Sequence, residues 1–286
     1  MTRSSNGVVV VGPSSWNTIV QLAHLPAQRP QTLFASGSWT TLGGTSAGKT
    51  LHLAELGVRP LLLSTVVGDD DVADLIRTAL TNRGLDVVLE RASGRSEQHL
   101  NLMAGAARVS IYLSLPAVPP GAVPVETQEA IGRADHVVLD LSERARDAIP
   151  YAVSSQATVW TDLHDYDGQS AYHRPFRDAA DIVFMSSDAL PDPRSLMLEM
   201  RAEGKQLVVC TRASEGAIAL DAAGWHQVDA LPATVVDTNG AGDAFLAGFL
   251  SATRGGEGVG SALRSAAAQA VRALGSRHLS PLLDER

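Results

Sequence analysis

One cysteine, no long apolar run and no surplus of basic residues: these absences bound the 286-residue sequence first. The single thiol, Cys210, excludes an intrachain disulfide framework and suits a reducing compartment. It stands in Leu207-Val208-Val209-Cys210, an apolar run that reads as buried, so a structural thiol is expected rather than a nucleophile. No stretch approaches the roughly 20 apolar residues of a membrane span. Val8–Val11, the apolar run near the start, is too short for a secretory leader. A formal net charge of −8 argues against nucleic acid and anionic membrane as partners. Internal repeats and low-complexity tracts are also missing. What is present is globular: 45% apolar and 19% charged residues argue against disorder. A soluble, cytoplasmic protein with a sizeable core is expected.

The pattern along the chain is that of an α/β protein. Val8–Val11, closed by Gly12-Pro13, reads as a strand buried on both faces. Alternation at Thr32–Ser36 and again at Ser38–Thr40 predicts half-exposed strands outside the main sheet. A helix is expected from about Ser46 to Leu56, ended by Gly57, then a buried strand at Leu61–Val67 and an amphipathic helix over Asp70–Arg83. Between Ser96 and Leu115 the period falls to two, with a hairpin connection at 104–107. Strands are then expected at 137–139, 158–160, 182–184 and 207–209, alternating with helices. Such alternation predicts a right-handed parallel sheet covered on both faces. The two period-two regions, 13–43 and 96–115, are expected to form a small β-sheet lid. The remainder, 1–12, 44–95 and 116–286, would form the nucleotide-binding and catalytic domain.

The stretch with most chemistry is Val235-Val236-Asp237-Thr238-Asn239-Gly240-Ala241-Gly242-Asp243-Ala244-Phe245. A glycine-rich turn opening an apolar helix directs unpaired N–H groups, backed by the helix dipole, at one spot. That spot suits an anion. An acid beside it, Asp243, makes sense as a group that takes a proton next to developing phosphate charge. The string Asp-Thr-Asn-Gly-Ala-Gly-Asp-Ala-Phe resembles the C-terminal signature of the ribokinase-like (PfkB) carbohydrate kinases. Gly43-Gly44 before a helix ending in Leu56-Gly57, Val67-Gly68-Asp69-Asp70, and Thr211–Ala217 after a strand resemble further family features in the same order.

That resemblance implies a doubly wound three-layer α/β/α fold with a β lid, and phosphoryl transfer from ATP·Mg2+ to a hydroxyl of a small sugar or sugar-like polyol. It makes Asp243 the catalytic base and the Gly240, Ala241 and Gly242 amides the anion hole. Thr211, Ser214 and Gly216 would lie by the nucleotide, while Asp237, Thr238 and Asn239 shape the loop, where some relatives hold a monovalent cation such as K+. Asn17, Gly43, Gly44, Gly48 and Lys49 would meet the acceptor. Three departures stand out. Gly48 replaces the usual Asn, Asn17 stands where an Asp often grips substrate hydroxyls, and Ser186-Ser187-Asp188-Ala189 replaces Asn-x-x-Glu. No protein-bound metal site is expected; Asp162 and Asp188 are the carboxylates nearest to where Mg–ATP would lie. A nucleoside kinase, or a silent ligand-binding relative, is the alternative. Short lid strands with one polar face and exposed edges predict a homodimer.

Gly43–Thr50 also satisfies G-x-x-x-x-G-K-[ST], the P-loop pattern. A P-loop needs a buried strand directly before it. Ser38–Leu42 is polar and alternating, so the substrate-side reading is preferred.

Overall fold

The computed structural model describes residues 7–105 and 107–284. In chain order the strands and helices are β1 (Val8–Val11), β2 (Ser15–Gln21), β3 (Gly37–Gly43), α1 (Thr45–Glu55), β4 (Leu61–Val67), α2 (Asp71–Thr81) and β5 (Asp86–Arg91). Next come β6 (Gln98–Ala104), β7 (Ala107–Ser114), α3 (Val125–Arg133), β8 (His136–Asp140), α4 (Glu143–Ser154), β9 (Thr158–Asp162) and α5 (Arg174–Ala179). The chain finishes through β10 (Ile182–Ser186), α6 (Pro193–Ala202), β11 (Leu207–Thr211), β12 (Ala217–Asp221), β13 (Gly224–Val228), α7 (Ala241–Arg254) and α8 (Val259–Leu274).

Nine strands form the main sheet in the order β13-β12-β11-β10-β9-β8-β1-β4-β5. Seven of them run parallel; β12 and β13 add an antiparallel edge. The four valines of β1 explain why a central strand reads as a continuous apolar run. Val8 and Val10 enter the core shared with Leu51 and Phe249, while Val9 and Val11 enter the opposite core with Ile131 and Phe176. Burying each such side chain stabilises the fold by about 1.5–3 kcal/mol. Helix starts follow local capping: Asp70 accepts from the Ala73 amide at 3.2 Å, and Ser142 from the Ala145 amide at 3.1 Å. Strand order reverses between β1 and β8, the switch point at which open α/β sheets bind ligands beyond the carboxyl ends of the strands.

The second sheet has four strands in the order β3-β2-β6-β7. All lie within the two period-two regions, and the hairpin connection falls at 104–107 as expected, with Ala106 outside the described residues. Residues 1–6 and 285–286 of the expected catalytic domain also lie outside the described residues. Cross-strand register places Asn17, His99 and Tyr112 on one face, and Val20, Leu102 and Val109 on the other. The second face is apolar along β7, where Val109, Ile111 and Leu113 are 41%, 40% and 56% exposed.

Three local expectations need correction. Thr32–Ser36 is not a strand: only Ser36, next to β3, bonds to the Gln21 carbonyl of β2, and Phe34 is exposed. The strand that pairs with β3 is β2, where two of the three buried positions, Ser15 and Asn17, are polar and only Ile19 is apolar, which weakens the alternation. The edge strand β5 and the β12–β13 hairpin were not anticipated either, so the sheet is mostly rather than wholly parallel.

Candidate active site

A cleft of about 1830 Å³ separates the smaller sheet from the carboxyl ends of the main one. Glu97, His99, Ser110 and Tyr112 line it from the smaller sheet; His164 and Asp165 line it from the loop after β9. Thr211, Ser214, Gly216, Thr238, Ala241 and Gly242 line it as well, whereas Asp237, Asn239 and Gly240 are not among its lining residues.

Gly240 opens α7 in the left-handed conformation, φ 78°, which a residue with a Cβ adopts only at a cost. No side chain caps this helix start, and Ala241 and Gly242, at its first positions, line the cleft. Asp237 is buried, and its carboxylate accepts from the Asn239 amide at 2.8 Å and from its side chain at 3.1 Å. That pair fixes the loop before α7. Arg108 of β7 reaches across to Asn239, linking the two sheets at the loop.

Asp243 lies in the first turn of α7, mostly buried. Its Oδ1 accepts from Thr45 Oγ1 and, at 2.8 Å, from Lys49 Nζ. The same ammonium is 3.0 Å from Asp140 Oδ1, at the end of β8, and 3.2 Å from Asp162 Oδ2, at the end of β9. Burial by itself would push the Lys49 ammonium down; Asp140, Asp243 and Asp162 outweigh it and hold the lysine protonated above its usual range. Burial pushes Asp140 up despite Lys49, His164 and the 2.6 Å hydrogen bond from Ser46 Oγ. For Asp162 the balance is opposite: burial is overcome by His164 and Lys49, and the carboxyl sits at about 2.

Lys49 is therefore not on the cleft surface. It is fully buried, so the direct acceptor contact expected of it is replaced by a three-carboxylate clasp. Gly48 also lies below the surface, where a Cβ would come within 2.7 Å of Asp243 Oδ2. Asn17 is buried too, accepting from Ser15 Oγ at 2.8 Å and packed against Gly43. Of the expected acceptor residues, Gly44 alone lines the cleft, together with its neighbour Thr45. Asp162 is committed to Lys49 and to the His164 amide at 3.0 Å, whereas Asp188 lines the cleft. Among the described residues no group of three or more His, Cys, Asp or Glu could hold a metal ion.

Two features escaped the sequence. The convergence of Lys49, Asp140, Asp162 and Asp243 joins positions that are distant in the chain; the signal available was that Asp140 and Asp162 each end an apolar strand. Glu97 and His99, hydrogen-bonded at 2.8 Å, together with Tyr112, whose ring centroid is 4.0 Å from that of His99, form a polar lid wall.

A P-loop is excluded by position. The strand before the glycines, β3, belongs to the small sheet, and Lys49 meets carboxylates instead of facing open cleft.

Comparison with known proteins follows this geometry. The model of the pfkB family carbohydrate kinases matches residues 8–284. Acarbose 7(IV)-phosphotransferase of Actinoplanes sp. is 30% identical over 265 residues, covering 90% of this chain and 88% of the relative. Fructoselysine 6-kinase of Escherichia coli is 27% identical over 212 residues, 73% and 80% of the two chains. Among solved structures, the microbiome-derived acarbose kinase Mak1 superimposes with a TM-score of 0.85 at 30% identity, covering 96% and 94% of the chains. Arabidopsis thaliana ribokinase, solved with ribose and ATP, has the same fold, with a TM-score of 0.80 at 21% identity over 96% and 95%.

Proposed function

The chain belongs to the pfkB family of carbohydrate kinases and is an ATP-dependent carbohydrate kinase; we propose that it phosphorylates one hydroxyl of a saccharide, with Asp243 taking the hydroxyl proton. The observation that carries this reading is the Asp243 carboxylate in the first turn of α7, beside uncapped amides and near the carboxyl ends of β8 and β9. A base held there is worth about 10²–10⁴-fold in rate. The Gly240, Ala241 and Gly242 amides stabilise the charge on the group in transit.

The residues present fit ATP. Leu231, Val235 and Val236 are exposed apolar side chains on the cleft wall, and with Ala267, Ala270 and Val271 they offer a purine an apolar slot. Thr211, Ser214 and Gly216 flank it, and Asp237, Thr238 and Asn239 set the loop towards the phosphates. Magnesium carried by the phosphates would spread their charge, and Asp188 is the cleft carboxylate assigned to its surroundings. A monovalent cation such as K+ is the remaining proposed cofactor, with the buried Asp237 as the nearest negative charge.

The acceptor end is walled by Glu97, His99 and Tyr112 of the lid and by His164 and Asp165 below it. These groups donate to and accept from hydroxyls. Relatives named for acarbose and fructoselysine support a saccharide derivative over a nucleoside. Residues 13–43 and 96–115 act as the lid that excludes water from the reaction. Two copies are proposed to pair through the apolar outer faces of their lids, in the cytosol, where ATP is supplied and Cys210 stays reduced.

The test is ADP release over a panel of monosaccharides, oligosaccharides, glycated amines and nucleosides, with Asp243→Asn alongside. Saccharide-dependent release, cut about 100-fold or more by Asp243→Asn at nearly unchanged ATP KM, is expected. Release with nucleosides alone would overturn the acceptor assignment. An Asp243→Asn enzyme of near-normal turnover would overturn the role of the base.

A further inference from the structure

Lys49 is the charged neighbour of Asp243 that proton abstraction by Asp243 leaves without a task. Four elements bring their groups to it: Lys49 from α1, Asp140 from β8, Asp162 from β9 and Asp243 from α7, with His164 facing Asp140 and Asp162 from the loop beyond β9. The two oxygens of Asp243 are treated differently. Oδ1 accepts from both Thr45 and Lys49, and Lys49 also donates to the Thr45 hydroxyl. Among the described residues nothing donates to Oδ2, which lies against the bare backbone of Gly48.

We propose that Lys49 is a positioning residue for phosphoryl transfer: anchored by Asp140 and Asp162, its ammonium grips one oxygen of Asp243 and leaves the other without a donor, free to take the proton of the acceptor hydroxyl. The proposal rests on the reading of Asp243 as the base.

The surplus of carboxylates then has a purpose. A lysine paired with Asp243 alone would lose its only counter-charge when Asp243 takes the proton, and an isolated buried ammonium is strongly disfavoured. With Asp140 and Asp162 in place, Lys49 remains paired before and after the transfer. The two acids also share the ammonium with Asp243, which limits how far the lysine can weaken Asp243 as a proton acceptor. Thr45 completes the arrangement by fixing the carboxylate plane from the same helix.

The test uses Lys49→Gln, Asp140→Asn and Asp243→Asn in the full chain, each checked for folding by circular dichroism. Two readouts are followed against pH: turnover with the fastest saccharide of the panel, and the ¹³C carboxyl resonance of Asp243, which needs no acceptor. In Lys49→Gln, turnover at neutral pH should fall at least about tenfold, and both the acidic limb and the resonance should move to higher pH. In Asp140→Asn, which frees Lys49 from one competitor, both should move to lower pH. A uniform loss across pH in Lys49→Gln, with neither readout displaced, would mean a merely structural lysine and overturn the proposal. Should Lys49→Gln not fold, Asp140→Asn decides, an unmoved or upward shift overturning it. An active Asp243→Asn enzyme would remove the underlying reading of the base. An inert Asp243→Asn beside an undisplaced Lys49→Gln removes this inference alone.

Discussion

Replacing Gly48 by alanine adds one methyl group at the point where α1 and α7 touch across the proposed base. The new Cβ would lie 2.7 Å from Asp243 Oδ2 and 3.1 Å from both its Cβ and Cγ. Carbon contacts are ordinarily 3.5–4.0 Å, so something must move by roughly half an ångström or more. Rotating the carboxylate cannot relieve the clash, because Asp243 Cβ is involved and Oδ1 is held by Thr45 and Lys49. Spreading the helices is opposed by Leu51 and Leu53 of α1 and Phe249 of α7, all essentially inaccessible. Asp243 is the group left to shift.

Stability and turnover should therefore separate. Alanine in a helix interior is favoured over glycine by about 1 kcal/mol, while overpacking costs about 1–3 kcal/mol. The net change should lie between about zero and 2 kcal/mol of destabilisation, lowering Tm by a few degrees at most. Displacing the reacting carboxylate on the ångström scale should cost turnover about 10²-fold. Calorimetry and steady-state kinetics on Gly48→Ala test this together, with nucleotide KM expected to change little. Gly48→Asn, which restores the residue usual in the family, should be worse still, because its larger side chain must occupy the volume of the Asp243 carboxylate. A Gly48→Ala enzyme with unaltered kcat and Tm would refute the placement of Asp243 against α1.

Two further outcomes are expected. Light scattering should give a dimer at micromolar concentration, and Ile111→Glu on the outer lid face should make it monomeric; a monomeric unaltered chain would end the lid-pairing reading. Glu55 sits at about 2 against an ordinary 4.5: burial would raise it, but His52, when its ring is protonated, and the hydrogen bond and charge of Arg272 prevail. The stability it supplies is complete above pH 4.5 and is lost as pH falls through about 2. That depression corresponds to about 3 kcal/mol, cut by solvent screening at the 56%-exposed Arg272 to about 1–2 kcal/mol. Glu55→Gln should thus lower urea stability at pH 7 by that amount and at pH 2 by much less; equal losses at both would contradict the ion-pair account.

The parts of the fold that were legible in sequence are those where both faces of an element meet protein. β1, β4, β8, β9, β10 and β11 carry apolar runs because each faces two cores. The missed strand β2 inverts the usual signal. Of its buried face only Ile19 is apolar, Ser15 and Asn17 being polar, while Trp16, Thr18 and Val20 on the other face are only partly covered. Hydrophobic alternation locates such a strand poorly, and at Thr32–Ser36 it points to a segment that joins β2 only through Ser36. The edge strand β5 carries at 87–89 the same Val-Val-Leu triplet as β8 at 137–139, but Asp86, Glu90 and Arg91 bracket it and its apolar side chains are only partly buried beside β4.

At the site, glycine and acid patterns pointed to Asp243 because the demands there are local: a left-handed turn, free amides and an acid on the next turn. Lys49 shows where local reading fails. The string Gly-x-x-x-x-Gly-Lys-Thr specifies residue types, but the pattern carries phosphate chemistry only when a central strand delivers it to a cleft. Here a lid strand delivers it. The first helical turn meets the cleft through Thr45, whereas the position four residues on points into the protein, where β8 and β9 end in acids. Once there, a lysine is stable only because three carboxylates surround it. The second glycine is then explained by the carboxylate lying on it rather than by a phosphate it would have wrapped. The same eight residues thus meet two different physical requirements, and the strand preceding them decides which.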